Sequence, residues 1–137
     1  MAKPDFTGTW RFNPSKSALQ IPAPDENTFI VEHHEPNLRL SRTWVSGANR
    51  DTFSIDLTTD GVDSVVERGD ARIRARAFWE GDVLAFDSTV ARGGVEGTNA
   101  VRYTMAEDGR SFVARERFRS EPLNYDNVWW MDRAGGQ

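Results

Sequence analysis

The chain reads as all-β: a single domain over 1–137 forming an antiparallel up-and-down barrel of about eight to ten strands. Three observations predict this. Ten short runs alternate apolar and polar residues, turn residues punctuate the chain between them, and no stretch of ten or more residues sustains a helical period.

Phe6 to Phe12 opens the series. The next segment, Asn13 to Asn27, breaks it, because Asn-Pro-Ser-Lys-Ser and Ile-Pro-Ala-Pro-Asp cannot sustain a ladder. It has room for one helical turn over Ser15 to Leu19 with Ser15 as cap, and it is either a flap across a barrel mouth or a plain surface loop. Thr28 to Glu35, Leu38 to Ser46, Thr52 to Thr58 and Val62 to Arg68 follow. Then come Ala71 to Trp79, Val83 to Ala91, Asn99 to Ala106, Phe112 to Ser120 and Tyr125 to Arg133. The links are Pro36-Asn37, Gly47-Ala48-Asn49, Asp60-Gly61, Gly69-Asp70, Gly81-Asp82, Gly93-Gly94 and Asp108-Gly109, where Gly or Asn supplies the positive φ of tight hairpins. Links this short make each strand antiparallel to the last, and so many strands in one small domain curl until the edges meet. The closing Ala-Gly-Gly-Gln reads as a frayed tail.

Alternation assigns faces. Ala71, Ile73, Ala75, Ala77 and Trp79 oppose Arg72, Arg74 and Arg76, so the Arg row faces water and the alanines leave the inner side roomy. Phe53, Ile55 and Leu57 oppose Ser54, Asp56 and Thr58, while Leu38, Leu40 and Trp44 share their face with Arg42. Val83 to Ala91 and Tyr125 to Arg133 read as mixed on both faces.

Composition narrows the function classes. With 17 basic and 21 acidic side chains the net charge is -4 and the pI about 5.2, a field that repels nucleic acid. A mean hydropathy of -0.61 argues against a membrane partner. There is no Cys, which removes disulfides, thiolate metal sites and Cys nucleophiles. The opening Met-Ala-Lys-Pro-Asp lacks an apolar signal region, so the expected location is the cytoplasm, or the chain is a trimmed secreted form. Phosphate loops, nucleophile elbows and His-Glu-x-x-His helices are absent from the sequence, so no cofactor and no metal is expected.

Phe6-Thr7-Gly8-Thr9-Trp10 resembles the opening Gly-x-Trp signature of the lipocalin and calycin group. The longer Phe-Thr-Gly-Thr-Trp-Arg-Phe-Asn-Pro-Ser-Lys-Ser, with Val-Glu-His before the second hairpin and later Asp-Gly turns, resembles bacterial lipocalin-like domains. Physically, Gly lets the first strand bend into the barrel and Trp plugs the closed end, its N–H needing a partner. The resemblance implies a ligand-holding barrel and an Arg from a late strand packed over the Trp, for which Arg115 and Arg117 stand at the right point in the chain. Fatty-acid-binding barrels fit less well, since the last strand lacks their Arg-x-Tyr pair and no helical lid pattern is present. Heme-binding barrels fit less well for want of a C-terminal His.

The inner face suggests chemistry. With Phe29 and Val31 inward, His33 points in and His34 out, making His33 a candidate base or a structural His held by a backbone carbonyl or a tyrosine. Tyr103 or Glu116 would be its acid or orienting partner and Arg42 the stabiliser of negative charge. Asp87 and Asn127 join these in a polar set that either meets a ligand or closes on itself as an internal ion pair, Arg42 or Arg117 with Glu116 or Asp87. Trp44, Phe53, Ile55, Ala75, Ala77, Asn99 and Trp129 are the expected ligand-contacting residues. The expected function is binding of a small, largely apolar organic molecule, with an anionic or carbonyl group near Arg42 or His33. The alternative is a cofactor-independent proton-transfer enzyme: a lyase, isomerase, hydratase or cyclase. Trp129-Trp130 puts one indole on each side of the last strand, and the outer one offers a contact for a lid, a ligand or a second subunit in a homodimer.

Overall fold

The computed structural model describes residues 3–120 and 123–134. The last three residues of the tail read above as frayed lie outside that range, as do Met1 and Ala2. Ten strands follow in chain order: β1 Gly8–Phe12, β2 Glu26–His34, β3 Asn37–Ser46, β4 Asn49–Thr58, β5 Ser64–Arg68, β6 Ala71–Glu80, β7 Val83–Arg92, β8 Val95–Met105, β9 Ser111–Ser120 and β10 Asn124–Arg133. Among the described residues no helix is long and apolar enough to cross a membrane.

The sheet runs β4-β3-β2-β1-β10-β9-β8-β7-β6-β5, every neighbour antiparallel. It curls into a nearly closed barrel, with β4 and β5 as the two facing edges. The expected meeting of edges is achieved by sparse links in place of a ladder. Asp60 bridges Phe78, the Gly61 N–H donates to the Ala77 carbonyl at 2.9 Å, and the Arg68 guanidinium on β5 pairs with the Asp51 carboxylate on β4.

Boundaries differ from the periodicity most at β8, which starts four residues ahead of the expected Asn99. Gly93 and Gly94, both at positive φ, make a tight two-residue turn, so Gly97 belongs to the strand. It sits where a side chain would meet the Phe118 ring at 2.9 Å, and its bare Cα makes room for that ring, which stacks on Tyr125 at 4.9 Å.

Alternation places the inner faces as the sequence indicates. Trp10, Val31, Leu38, Ile55, Leu57, Ala75, Ala77 and Met131 are buried in one core cluster, while Arg72, Arg74 and Arg76 stand in solvent. The two mixed strands now have a physical reason. On β7 the outward Ala85 is fully buried, its cross-strand partners being Phe78 and Arg102, and the Arg102 guanidinium lies 5.5 Å from the Phe78 ring. On β10 the Asn13–Gln20 segment lies alongside the strand, and its Lys16 sits 4.9 Å from the outward Trp130 ring.

That segment corrects two expectations. It forms a turn without a helical hydrogen-bond pattern, organised by Asn13 rather than capped by Ser15: the Asn13 side-chain oxygen accepts from the Ser15 N–H at 3.1 Å and its hydroxyl at 2.7 Å. It then runs beside β10 past the end of β1. The Asn13 N–H donates to the Trp130 carbonyl, Ala18 and Val128 exchange two backbone hydrogen bonds, and the Gln20 N–H donates to Asn127 Oδ1 at 2.8 Å. The connection is therefore neither a free flap nor a plain loop but an extension of the barrel wall.

One end is sealed by rings. Trp10 is fully buried and donates its indole N–H to the Phe6 carbonyl at 2.8 Å, edge-on to Phe112 at 4.8 Å. The guanidinium over it, 4.2 Å from the ring, belongs to Arg133. The expectation of Arg115 or Arg117 fails because both alternate outward from Phe112, Ala114 and Glu116, into solvent. Gly8, at φ 142°, completes the device: a Cβ there would lie 2.5 Å from Arg133 Nη1, so only glycine lets the guanidinium cross to donate to the Thr7 carbonyl at 2.8 Å.

Candidate functional site

Above the sealed end the strands enclose a cavity of about 500 Å³, within the usual range for small-molecule sites. Its lower wall continues the core: Leu40, Ile55, Phe86, Val101, Ala114 and Met131. Higher up, rings dominate, with Phe53 and Trp44 on one side and Trp129, edge-on to Trp44 at 5.6 Å, on the other. Ile21, carried in by the wall extension, reaches the same space. A second, more open depression of about 440 Å³ lies outside near the β4–β5 gap, lined by Glu32, His34, Asp56 and Asp63 among others, with no Phe, Tyr or Trp in its lining.

Of the expected ligand-contacting residues, Trp44, Phe53, Ile55, Asn99 and Trp129 line the cavity. Ala75 and Ala77 do not. They are 1% and 0% exposed within the core cluster that also holds the large rings of Phe6, Trp10, Tyr103 and Phe112, and those rings occupy the room that small residues leave. The same strand contributes Ile73, nearer the mouth.

Of the polar residues, Arg42, Tyr103 and Glu116 share the cavity and His33 does not. His33 is 4% exposed beside the sealed end. Its Nδ1 accepts from the Phe6 N–H at 3.2 Å and its Nε2 pairs with Glu35 at 2.6 Å, so both ring nitrogens are held. The partners are a backbone N–H and a carboxylate rather than a carbonyl or tyrosine, because the segment before β1 folds across this end. Burial alone would raise the Glu35 carboxyl; hydrogen bonds from His33, Trp79 and Thr59 outweigh it and hold the group below its ordinary value.

The expected internal ion pairs do not form as drawn. Asp87 faces out and pairs with Arg102 at 2.8 Å, and Arg117 lies outside near Asp126 at 3.9 Å. Inside, Glu116 gathers nitrogen donors instead of a cation: Asn99 Nδ2 donates to Oε2, and Asn127 Nδ2 and Trp129 Nε1 donate to Oε1, each at 2.9 Å. Across the cavity Arg42 lies 5.5 Å from the Trp44 ring and 3.8 Å from Asp51. Asp51 also holds Arg68, whose hydrogen bond comes first among the causes that keep its carboxyl low. Three residues of the lining keep a buried polar atom without a partner among the described residues: Asn27 Oδ1, Asn99 Oδ1 and Arg42 Nε.

Two phenols face this set. Burial raises Tyr103 far above its ordinary value, with Glu116 adding to the effect and Arg42 opposing it, and Tyr125 is raised by the same causes in the same order. Tyr125, Asn27 and the Asp51–Arg68 pair are lining residues that sequence reasoning missed. Inward alternation on β10 was signal enough for Tyr125, whereas the pairing of Asp51 with Arg68 depends on which edges meet. Trp130 faces out, half-buried, with Lys16 4.9 Å from its ring and its N–H on Asp132 at 3.0 Å. Among the described residues no three His, Asp or Glu side chains converge as a metal site.

No protein-family model matches the chain and no curated protein matches it. Solved structures do. A secretory abundant heat soluble protein of Ramazzottius varieornatus is similar at a TM-score of 0.63 and 7% identity, over 98% of each chain. Zebrafish ileal bile acid-binding protein complexed with cholic acid is similar at 0.63 and 12% identity, over 94% of this chain and 98% of that one. The fatty acid binding protein of Schistosoma mansoni in complex with arachidonic acid gives 0.55 and 7% identity, over 95% and 96%. At these identities the likeness is one of fold: an antiparallel β-barrel. The barrel can thus match fatty-acid-binding ones without the helical lid and Arg-x-Tyr pair whose absence weighed against them.

Proposed function

We propose that this barrel binds a small, largely apolar organic molecule in its cavity. The observation that carries the reading is the cavity of about 500 Å³, walled by aromatic and aliphatic side chains with a few polar groups set among them. Trp44, Phe53, Ile55 and Trp129 are its apolar contacts, and Arg42, Tyr103, Asn99 and Glu116 orient the molecule. The fold shared with a bile acid-binding protein and a fatty acid binding protein supports the reading. So does the Gly8, Trp10 and Arg133 arrangement, which favours kinship with lipocalin-like domains, the bacterial ones included. The partner is the small molecule; a homodimer would use the outward face of Trp130.

The proton-transfer alternative was built on His33 opening onto the cavity. With that ring held by Phe6 and Glu35 away from the lining, the binding reading is the better supported.

Trp44 and Trp129 report on occupancy directly. Titration with fatty acids, retinoids, aromatic acids and porphyrins should shift or quench their emission saturably for at least one class. No change across the panel, together with no heat by calorimetry, would overturn the proposal.

A further inference from the structure

The inner surface also constrains what kind of molecule fits, a refinement that rests on the binding reading. On the wall formed by β8, β9 and β10 the nitrogen donors of Asn99, Asn127 and Trp129 all converge on the Glu116 carboxylate. A carboxylate accepts about four hydrogen bonds and donates none. Glu116 Oε2 receives one nitrogen donor where Oε1 receives two. Asn99 Oδ1 is unpartnered, and it is held in that orientation because turning the amide would set oxygen against the carboxylate. The remaining hydrogen-bonding capacity of this wall is therefore weighted toward acceptors.

Charge points the same way. The lining carries two guanidinium groups, Arg42 and Arg68, and two carboxylates, Asp51 and Glu116. Asp51 pairs with Arg68 and stands 3.8 Å from Arg42, so neither cation is free of a counter-charge, and the set is neutral as a whole. A carboxylate ligand would bring an unmatched negative charge toward the Glu116 carboxylate. An ammonium ligand would have to shed its hydration to enter, a cost that a neutral hydroxyl or N–H does not carry.

We infer that the ligand is an uncharged, apolar molecule that donates a hydrogen bond, from a hydroxyl or an N–H, to the Glu116 and Asn99 wall. Simple carboxylate amphiphiles are selected against.

Four compounds on one skeleton test this by calorimetry at pH 7: 4-methylbiphenyl, 4-(hydroxymethyl)biphenyl, biphenyl-4-carboxylate and 4-(aminomethyl)biphenyl. The alcohol should bind at least about tenfold more tightly than the carboxylate and the amine, the discrimination expected when a buried polar group is left mispaired. Glu116→Gln removes the charge and adds a donor, and should raise carboxylate affinity about tenfold while erasing the alcohol's advantage. Asn99→Leu should narrow the alcohol's advantage over 4-methylbiphenyl. If either variant fails to fold, the ranking with the parent protein still decides. Carboxylate binding as tight as alcohol binding overturns the inference and leaves cavity binding standing. Failure of all four compounds, the apolar one included, overturns both.

Discussion

Replacing Trp10 with Ala removes the plug from the sealed end, and the structure sets the size of the loss. The side chain is fully buried, so the change forfeits transfer free energy and leaves a hole among Phe6, Phe29 and Phe112. Deleting a buried aromatic ring costs about 3–5 kcal/mol. Two further losses act on the same spot. The Phe6 carbonyl is left without its indole donor, and the Arg133 guanidinium loses its ring, a contact worth about 0.5–2 kcal/mol, though it keeps the Thr7 and Gly109 carbonyls. These terms overlap, so the total should sit at the upper end of the range, about 5 kcal/mol. That is a large share of the total stability of a domain this size, about 5–15 kcal/mol. Trp10→Phe separates the contributions: it keeps a ring under Arg133, loses the N–H, and should cost about 1–3 kcal/mol. Urea unfolding followed by circular dichroism measures both. A Trp10→Ala unfolding free energy within about 1 kcal/mol of the parent's would refute the plug and the argument for Gly8 and Arg133 with it.

Other outcomes follow from the same geometry. Gly8→Ala should destabilise by about 2 kcal/mol or more, from positive φ and the clash with Arg133 Nη1, read by the same urea curves. The Glu35 carboxyl lies lower in the folded state than unfolded, so its contribution is present above its unfolded pKa and lost as pH falls through the folded one. Urea midpoints should therefore drop on acidification below pH of about 4.5, and Glu35→Gln should flatten part of that slope. Asp51→Asn weakens the link between β4 and β5. With both partners partly exposed the stability change should stay within about 1 kcal/mol, while amide exchange should quicken at these two edges and not in β8 to β10.

Strand count, order and most inner faces were legible because a side-chain period of two leaves little freedom once one face is buried. Phe53, Ile55 and Arg42 all follow it. Depth along the barrel was not legible. Ile73, Ala75 and Ala77 share a face, yet strand tilt sets the first in the cavity wall and the others in the packed end, and tilt is a property of the closed sheet. Arg133 escaped notice for a related reason. Its role depends on Gly8 across a pairing 125 residues long, whereas Arg115 and Arg117 looked apt from chain position although alternation already sent them outward. His33 was read inward correctly, but its partners come from Phe6 and Glu35, which arrive through loops rather than ladders. Asp51 and Arg68 meet at a seam between strands that form no ladder, so no register rule could pair them.

Binding inside the barrel is tested most directly by filling it. Nile red, a neutral dye whose emission depends on its surroundings, should bind the parent protein with one-to-one stoichiometry. Ser88→Trp, which projects an indole from β7 into the cavity, should weaken that binding at least about tenfold while circular dichroism and the unfolding midpoint stay near those of the parent. Equal binding by parent and filled variant would put the dye on the surface and contradict the assignment of the cavity as the site.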